Sequence, residues 1–402
     1  MGFFKSFSKT TLLPQSNRIY LDFASSTPLD QEMLSSFPKV STMALQANPS
    51  ALHKEGLAAK KVLSDARALV AKTLEAHSDE IVFTSNATES DNLALQGTVR
   101  ALLAQGVEKE SIAIVTTDTE HSAVLETVKI LGEEISVTVL ATEQGIIDPK
   151  QIVVDEGIKA LVVSVMYVNN EIGVVQPIYE IAKRIRFLLK HNPDAAILLH
   201  VDATQAPLHF SLNVQKLGID MMTLGATKLY CPKGIGMLYV KRGTPIAAIQ
   251  YGGGQEFGLR PGTEPIQLIH DFAYALSYAQ EHVEGYSRDI SELQSYAESL
   301  IKKDIPSATI TAEQIERTPH VTHIALKGFD SELLVLELDA RGIAVSAKSA
   351  CKNEDVNESG VVERIYGEGW GAVRMSYGRN TTKDHVAKAV AALASILEKY
   401  RQ

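Results

Sequence analysis

"AILLHVDATQ", residues 196–205, is an aliphatic run interrupted by His200 that ends on Asp202 and Gln205. Apolar residues at both odd and even positions are what a strand covered on both faces requires, because its side chains alternate between the two. Six more short, β-branched runs lie around it: "IVFTS", "IAIVTT", "VTVLAT", "ALVVSVMYV", "MMTLGA" and "GIGMLYVK", all between residues 80 and 241 and separated by helix-like stretches. Strands alternating with helices predict an α/β domain whose mostly parallel mixed sheet is covered by helices.

The pattern changes after "GTEP" at 262–265, where Leu268, Phe272, Ala275, Leu276 and Ala279 fall at helical spacing. The reading therefore divides the chain into a large domain over 19–265 and a smaller α+β domain over 266–402. The first few dozen residues are candidates to pack on the smaller one. Within that smaller unit, "VTHIALKGF" and "AVRMSYG" read as strands and "TKDHVAKAVAALASILEKY" as an amphipathic closing helix.

A chain of 402 residues with 45% apolar and 22% charged residues has ample material for a core. Its net charge of -9 offers no basic field for counterion release, which argues against nucleic acid as a direct partner. The longest apolar run, Ala160 to Val168, is far short of a membrane span, so no membrane partner is expected. Two cysteines, Cys231 and Cys351, with no CxxC spacing fit a reducing, cytoplasmic compartment and predict neither disulfide nor metal cage. His320 and His323, three apart on an extended run, face opposite sides and make poor metal partners. The amino-terminal "MGFFKSFSKTTLLPQSNR" carries weak targeting and lipidation patterns that chance accounts for.

Polar clusters sit at the carboxyl ends of five strands, where open α/β sheets bind ligands: "FTSNATESDN", "TTDTEH", "NNEIG", "VDATQ" and "GATK". In the first, Ala87, Thr88, Glu89 and Ser90 open a helix whose free N–H groups form an anion cradle, although an ordinary helix cap has the same composition. Lys228 follows an apolar strand, where an amine loses hydration and becomes able to attack a carbonyl, although taken singly a snorkelling surface lysine reads the same. Asp202 needs a cationic partner, which a protonated pyridine nitrogen or a structural arginine would equally provide. His121 is placed to stack on a planar ring or to move protons, although a lone histidine at a strand end is more often a hydrogen-bonded packing residue. Phosphate cradle, aldehyde-capturing lysine, pyridinium partner and stacking histidine together describe a pyridoxal 5'-phosphate site.

At this point the chain resembles the group I cysteine desulfurases, within the class V aminotransferases of the fold type I pyridoxal phosphate enzymes. The likeness runs from "IYLDFASSTP" (19–28) to "VRMSYGRNTT" (373–382), through "NPSALHKEG", "EIVFTSNATESDNLAL", "TEHSAVLETV", "VNNEIGVVQPI", "HVDATQ", "YCPKGIG", "GGGQEFGLRPGTEP" and the "SAC" loop. The resemblance implies that Lys228 captures the cofactor aldehyde, that Asp202 pairs with the pyridine nitrogen and that Gln205 approaches the phenolic oxygen. It implies Ala87 and Thr88 at the phosphate, His121 over the ring, Asn170 and Arg374 at the substrate carboxylate, and Asn48 in the same pocket. It places Thr263 at a phosphate of the opposite subunit in a homodimer.

Cys351 then has an implied role: its thiolate attacks the sulfur of L-cysteine, leaving L-alanine and a persulfide for an acceptor protein. Such an acceptor would be an iron-sulfur scaffold or a tRNA thiolation protein. Lys348 and Lys352 flank it and favour the thiolate, while Glu354 and Asp355 offset part of their field.

The chain departs from the family pattern at "GAT" before Lys228, where "SGH" is usual. Gly225 removes a hydroxyl expected on the phosphate, and Thr227 replaces a histidine while keeping one donor. Tyr167, Cys231 and Phe257 also stand where other residues are common. Two competing readings follow: a selenocysteine lyase or other β-eliminating enzyme using the same pocket, and a non-catalytic binding module. Retention of Lys228, Asp202, His121, Arg374 and Cys351 speaks against the second.

Overall fold

A computed structural model describes residues 18–347 and 361–400. The seven runs read as strands become one seven-stranded sheet. After a short β1 (Ile19–Tyr20), its members are β2 (Ile81–Thr84), β3 (Ile112–Thr117), β4 (Ser136–Leu140), β5 (Ala160–Met166), β6 (Ala196–Asp202), β7 (Met221–Gly225) and β8 (Gly236–Val240). Their order is β2-β8-β7-β6-β5-β3-β4, and only β8 runs against the others.

Alternation of side chains divides the sheet's two cores. Ala113, Val115, Leu161 and Val163 join one apolar cluster, whereas Ile112, Ile114, Ala160 and Val162 join another with Leu95, Val99 and Val124. Every residue of β5 is buried, while β4, at the edge, is mostly exposed. A strand covered on one side only by helices and open at its edge needs no continuous apolar run, and "SVTVL" has none.

Because β2, β3, β5, β6 and β7 all point the same way, the polar segments that follow them emerge at one end of the sheet. The reversed β8 begins at that end, so Gly234 and Ile235 arrive there too.

A third apolar cluster surrounds a three-stranded antiparallel sheet. After β9 (Thr309–Ile310) come β10 (Val321–Lys327), β11 (Ile343–Ala344) and β12 (Trp370–Ser376), with sheet order β12-β10-β9. The helices Val283–Asp304 and Lys383–Lys399 contribute Ile290, Ala297, Ile301, Val390 and Leu393 to this cluster. Ile19 and Leu21 belong to it as well, since β1 pairs in parallel with β11 and Asp22 bridges Ser376. The helix Ile266–Glu281 instead buries Ile266, Ile269, Phe272 and Leu276 in the larger cluster, against the helix Lys54–Leu74. Among the described residues no helix is long and apolar enough to cross a membrane.

Candidate active site

Lys228 closes a 3₁₀ turn, Ala226–Lys228, directly after β7, and its Nζ donates to the Ser25 carbonyl at 2.5 Å. That contact joins the end of the large sheet to the amino-terminal segment, which β1 and Asp22 fasten to the other cluster. Around the amine lies a cleft of about 970 Å³, open solvent included. Ala87, Thr88, His121, Asn170, Asp202, Gln205, Thr227, Lys228 and Arg374 all line it. Nine of the residues singled out from sequence therefore share one cavity.

They arrive on several different elements. Ala87 and Thr88 begin the helix Ala87–Ala104, which Asn86 caps by accepting from Glu89 N at 2.8 Å. First-turn N–H groups lack intrahelical acceptors and carry the positive end of the helix dipole, so they suit an anion. Gly225 ends β7 against this turn: a Cβ built there would stand 3.2 Å from Ala87 Cβ. Gly236 is tighter still, with a built Cβ only 2.5 Å from the Asn86 carbonyl carbon. Both glycines let the strands approach the helix start.

His121 caps the helix Ser122–Leu131, its Nδ1 accepting from Ala123 N at 3.1 Å, which places the proton of the neutral ring on Nε2. Asp202 ends β6, and its Oδ1 accepts from Thr204 N at 2.9 Å. Gln205 Nε2 donates to the Ala24 carbonyl at 2.8 Å. The Thr227 carbonyl accepts from Thr27 N at 2.9 Å, fixing the backbone next to Lys228.

Arg374 comes from β12 and is 2% exposed. Nη1 donates to the Asn170 carbonyl at 2.7 Å, and Nη2 to Asp22 Oδ1 at 2.7 Å and Ser25 Oγ at 2.6 Å. Its Nε is buried without a hydrogen-bond partner among the described residues. Arg374 lines the cavity, and a guanidinium there is the kind of donor that a ligand carboxylate satisfies.

Two buried acids at or near the cavity escaped the sequence reading. Asp91 lines it and is 1% exposed; burial pushes its carboxyl well above the usual range, and Asp202 nearby adds to the effect. Burial raises Glu120 to about 8, against hydrogen bonds from Thr117 Oγ1 at 2.7 Å and Met166 N at 3.0 Å. His200, between Ser164 and Thr223, is lowered to about 4 by burial. Both carboxyl shifts disfavour the ionised forms of Asp91 and Glu120 and so lessen the negative charge near Asp202. The available signal was Asp91 on the inward face of an amphipathic helix; Asp22 and Ser25 had none, because their partner is distant in sequence.

Asn48 and Thr263 do not line this cavity. Asn48 is exposed and its Oδ1 accepts from Ser50 N at 2.9 Å. Thr263 is exposed on a loop tied down by Arg260, whose Nε donates to Glu89 Oε1 at 3.0 Å. Cys351, Lys348 and Lys352, with Glu354 and Asp355, lie outside the described residues. Cys231 is 2% exposed, and burial pushes its thiol up to about 12, so it is no thiolate near neutral pH. His320 and His323 hydrogen-bond to Gln205 and Thr311 respectively, and no metal-binding cluster occurs among the described residues.

The donor set fits a phosphorylated aromatic aldehyde. A helix start offers N–H groups to the phosphate, Lys228 an amine to the aldehyde, Asp202 a carboxylate to a ring cation, and Arg374 a guanidinium to a substrate anion.

Over residues 19–388 the chain matches the aminotransferase class-V family. It is 33% identical over 389 residues to a cysteine desulfurase IscS of Dictyoglomus turgidum, covering 95% of each chain. A solved NifS-like protein aligns over 95% of this chain and 100% of its own, with a TM-score of 0.82 and 29% identity. The structure titled SspA in complex with cysteine aligns over 90% of this chain and 98% of its own, with a TM-score of 0.71 and 29% identity.

Proposed function

From the premise that this chain belongs to the class V aminotransferases, we propose that it is a pyridoxal 5'-phosphate-dependent cysteine desulfurase, converting L-cysteine to L-alanine and passing sulfur to an acceptor protein. The observation that carries the reading is the convergence on one cavity of Lys228, Asp202, Arg374 and the start of the helix Ala87–Ala104.

Ala87 and Thr88 would hold the cofactor phosphate, with Thr227 donating where the family has histidine. Asp202 would hold the pyridine nitrogen, Gln205 the phenolic oxygen, His121 the ring face, and Lys228 the aldehyde. When bound, pyridoxal phosphate supplies an electron sink for the carbon beside the substrate amine. Arg374 and Asn170, which both line the cavity, orient the substrate carboxylate. Lys228 Nζ moves the proton at the substrate's α carbon. Asp22 and Ser25 hold the guanidinium at its station.

Sulfur leaves by attack of the Cys351 thiolate on the substrate sulfur. A new S–S bond forms, the C–S bond breaks, and its electron pair stays on the carbon skeleton, which gains a proton to become alanine. Ser346, five residues before Cys351 in sequence, exchanges both backbone hydrogen bonds with Arg374, a residue that lines the pocket. Thr263 is exposed in the single chain and would reach the phosphate of a second subunit's site in a homodimer. An iron-sulfur scaffold or tRNA thiolation protein would accept the sulfur in the cytoplasm.

The test is a visible absorption spectrum of the purified protein with pyridoxal phosphate, before and after L-cysteine, with alanine and sulfide assayed together. A cofactor band that changes with cysteine while alanine forms is expected. No band at saturating cofactor overturns the reading.

A further inference from the structure

Behind Lys228 three buried side chains form a chain of hydrogen bonds whose direction is fixed throughout. Gln205 Nε2 donates to the Ala24 carbonyl at 2.8 Å, so its Oε1 faces His320 Nε2, 3.2 Å away. An amide oxygen only accepts, and His320 must therefore carry its proton on Nε2. Its Nδ1 then accepts from the Thr318 hydroxyl, at 2.7 Å. Thr318 N in turn donates to the Gly173 carbonyl at 2.7 Å, in the loop whose Asn170 carbonyl receives Arg374.

The surroundings keep this arrangement. His209 stacks on the His320 ring at 4.5 Å with planes 4° apart, and the Tyr286 ring lies 5.2 Å from His209. Burial, with Arg374 and Lys228 nearby, lowers His320 to about 3, so the ring stays neutral and can accept from Thr318. His209 is lowered as well, by burial and by His320, and adds no charge.

Gln205 has one further amide proton, and Gln205 lines the cofactor cavity. We propose that His320 is a positioning residue: it locks the Gln205 amide so that this second N–H faces the cavity and lowers the proton affinity of the bound cofactor's ring oxygen. The inference rests on the proposed function. Gln205 follows β6 of the large sheet, while His320 precedes β10 of the small one, so the ring's protonation also depends on how the two are docked.

The measurement is a pH titration of the visible absorbance of protein loaded with pyridoxal phosphate. With His320→Leu, the midpoint is expected to rise by about 0.5–1 pH unit, the equivalent of one hydrogen bond. His320→Gln, which retains a donor close to the Nε2 position, should return it to the wild-type value. In a Gln205→Leu background, His320→Leu should add nothing. If His320→Leu gives no folded protein, His320→Asn, whose amide is too short to reach Gln205, takes its place with the same expected rise. An unmoved midpoint, equal rises for the leucine and glutamine variants, or additive shifts in the double variant overturn this inference alone. Wild-type protein that takes up no pyridoxal phosphate overturns the proposed function with it.

Discussion

Arg374 Nη2 lies 2.7 Å from Asp22 Oδ1, joining a residue of β12 to one that follows β1, with the guanidinium almost wholly buried. Removing one member of a buried pair strands the other's charge, which costs about 3 kcal/mol or more. Asp22→Asn is therefore expected to lower the denaturation midpoint clearly and to raise the KM for cysteine. Asp79→Asn, which breaks an exposed pair with Arg242, should leave the midpoint in place. Chemical denaturation of the two variants side by side checks the contrast.

The "GAT" stretch gives two opposite expectations. Thr227→His should tighten pyridoxal phosphate about tenfold, the worth of one charge-assisted hydrogen bond. Gly225→Ser should not tighten it, because the new Cβ would meet Ala87 Cβ at 3.2 Å and press on the helix start that holds the phosphate. Equilibrium dialysis with pyridoxal phosphate measures both. A tighter Gly225→Ser protein would show that the helix start yields without cost.

Cys351→Ala should keep the cofactor band yet stop sulfur transfer, and Lys228→Ala should lose the band. Cys231→Ala should transfer sulfur normally, its thiol being buried and raised to about 12. Mass spectrometry after a brief cysteine pulse should locate the persulfide on the peptide containing Cys351. A persulfide on Cys231 would contradict the assignment.

Glu120 makes the fold sensitive to alkali. Its carboxyl is raised from the ordinary 4.5 to about 8, so between those values the native state holds a proton that the unfolded chain has released. Stability then falls as pH rises through that window, by about 1.4 kcal/mol per unit at most. Glu120→Gln keeps an acceptor for Thr117 Oγ1 and Met166 N and removes the slope. It should be more stable than wild type at pH 8 and no more stable at pH 4. Equal stability differences at both values would refute the buried-proton account.

The sequence by itself determined the strands, because alternation and β-branching are local: all seven runs of the large sheet stand where the pattern puts them. It also determined that polar residues gather at strand ends, since a parallel sheet leaves them nowhere else to go. Tertiary structure alone decided which of these face one another. Arg374 meets Asp22 and Ser25, Lys228 meets Ser25, and His320 meets Gln205 across long stretches of chain. No window of sequence contains both partners of such a contact. The same holds for Asp91 and Glu120, whose raised carboxyls come from burial, a property of the packed molecule rather than of the residues beside them.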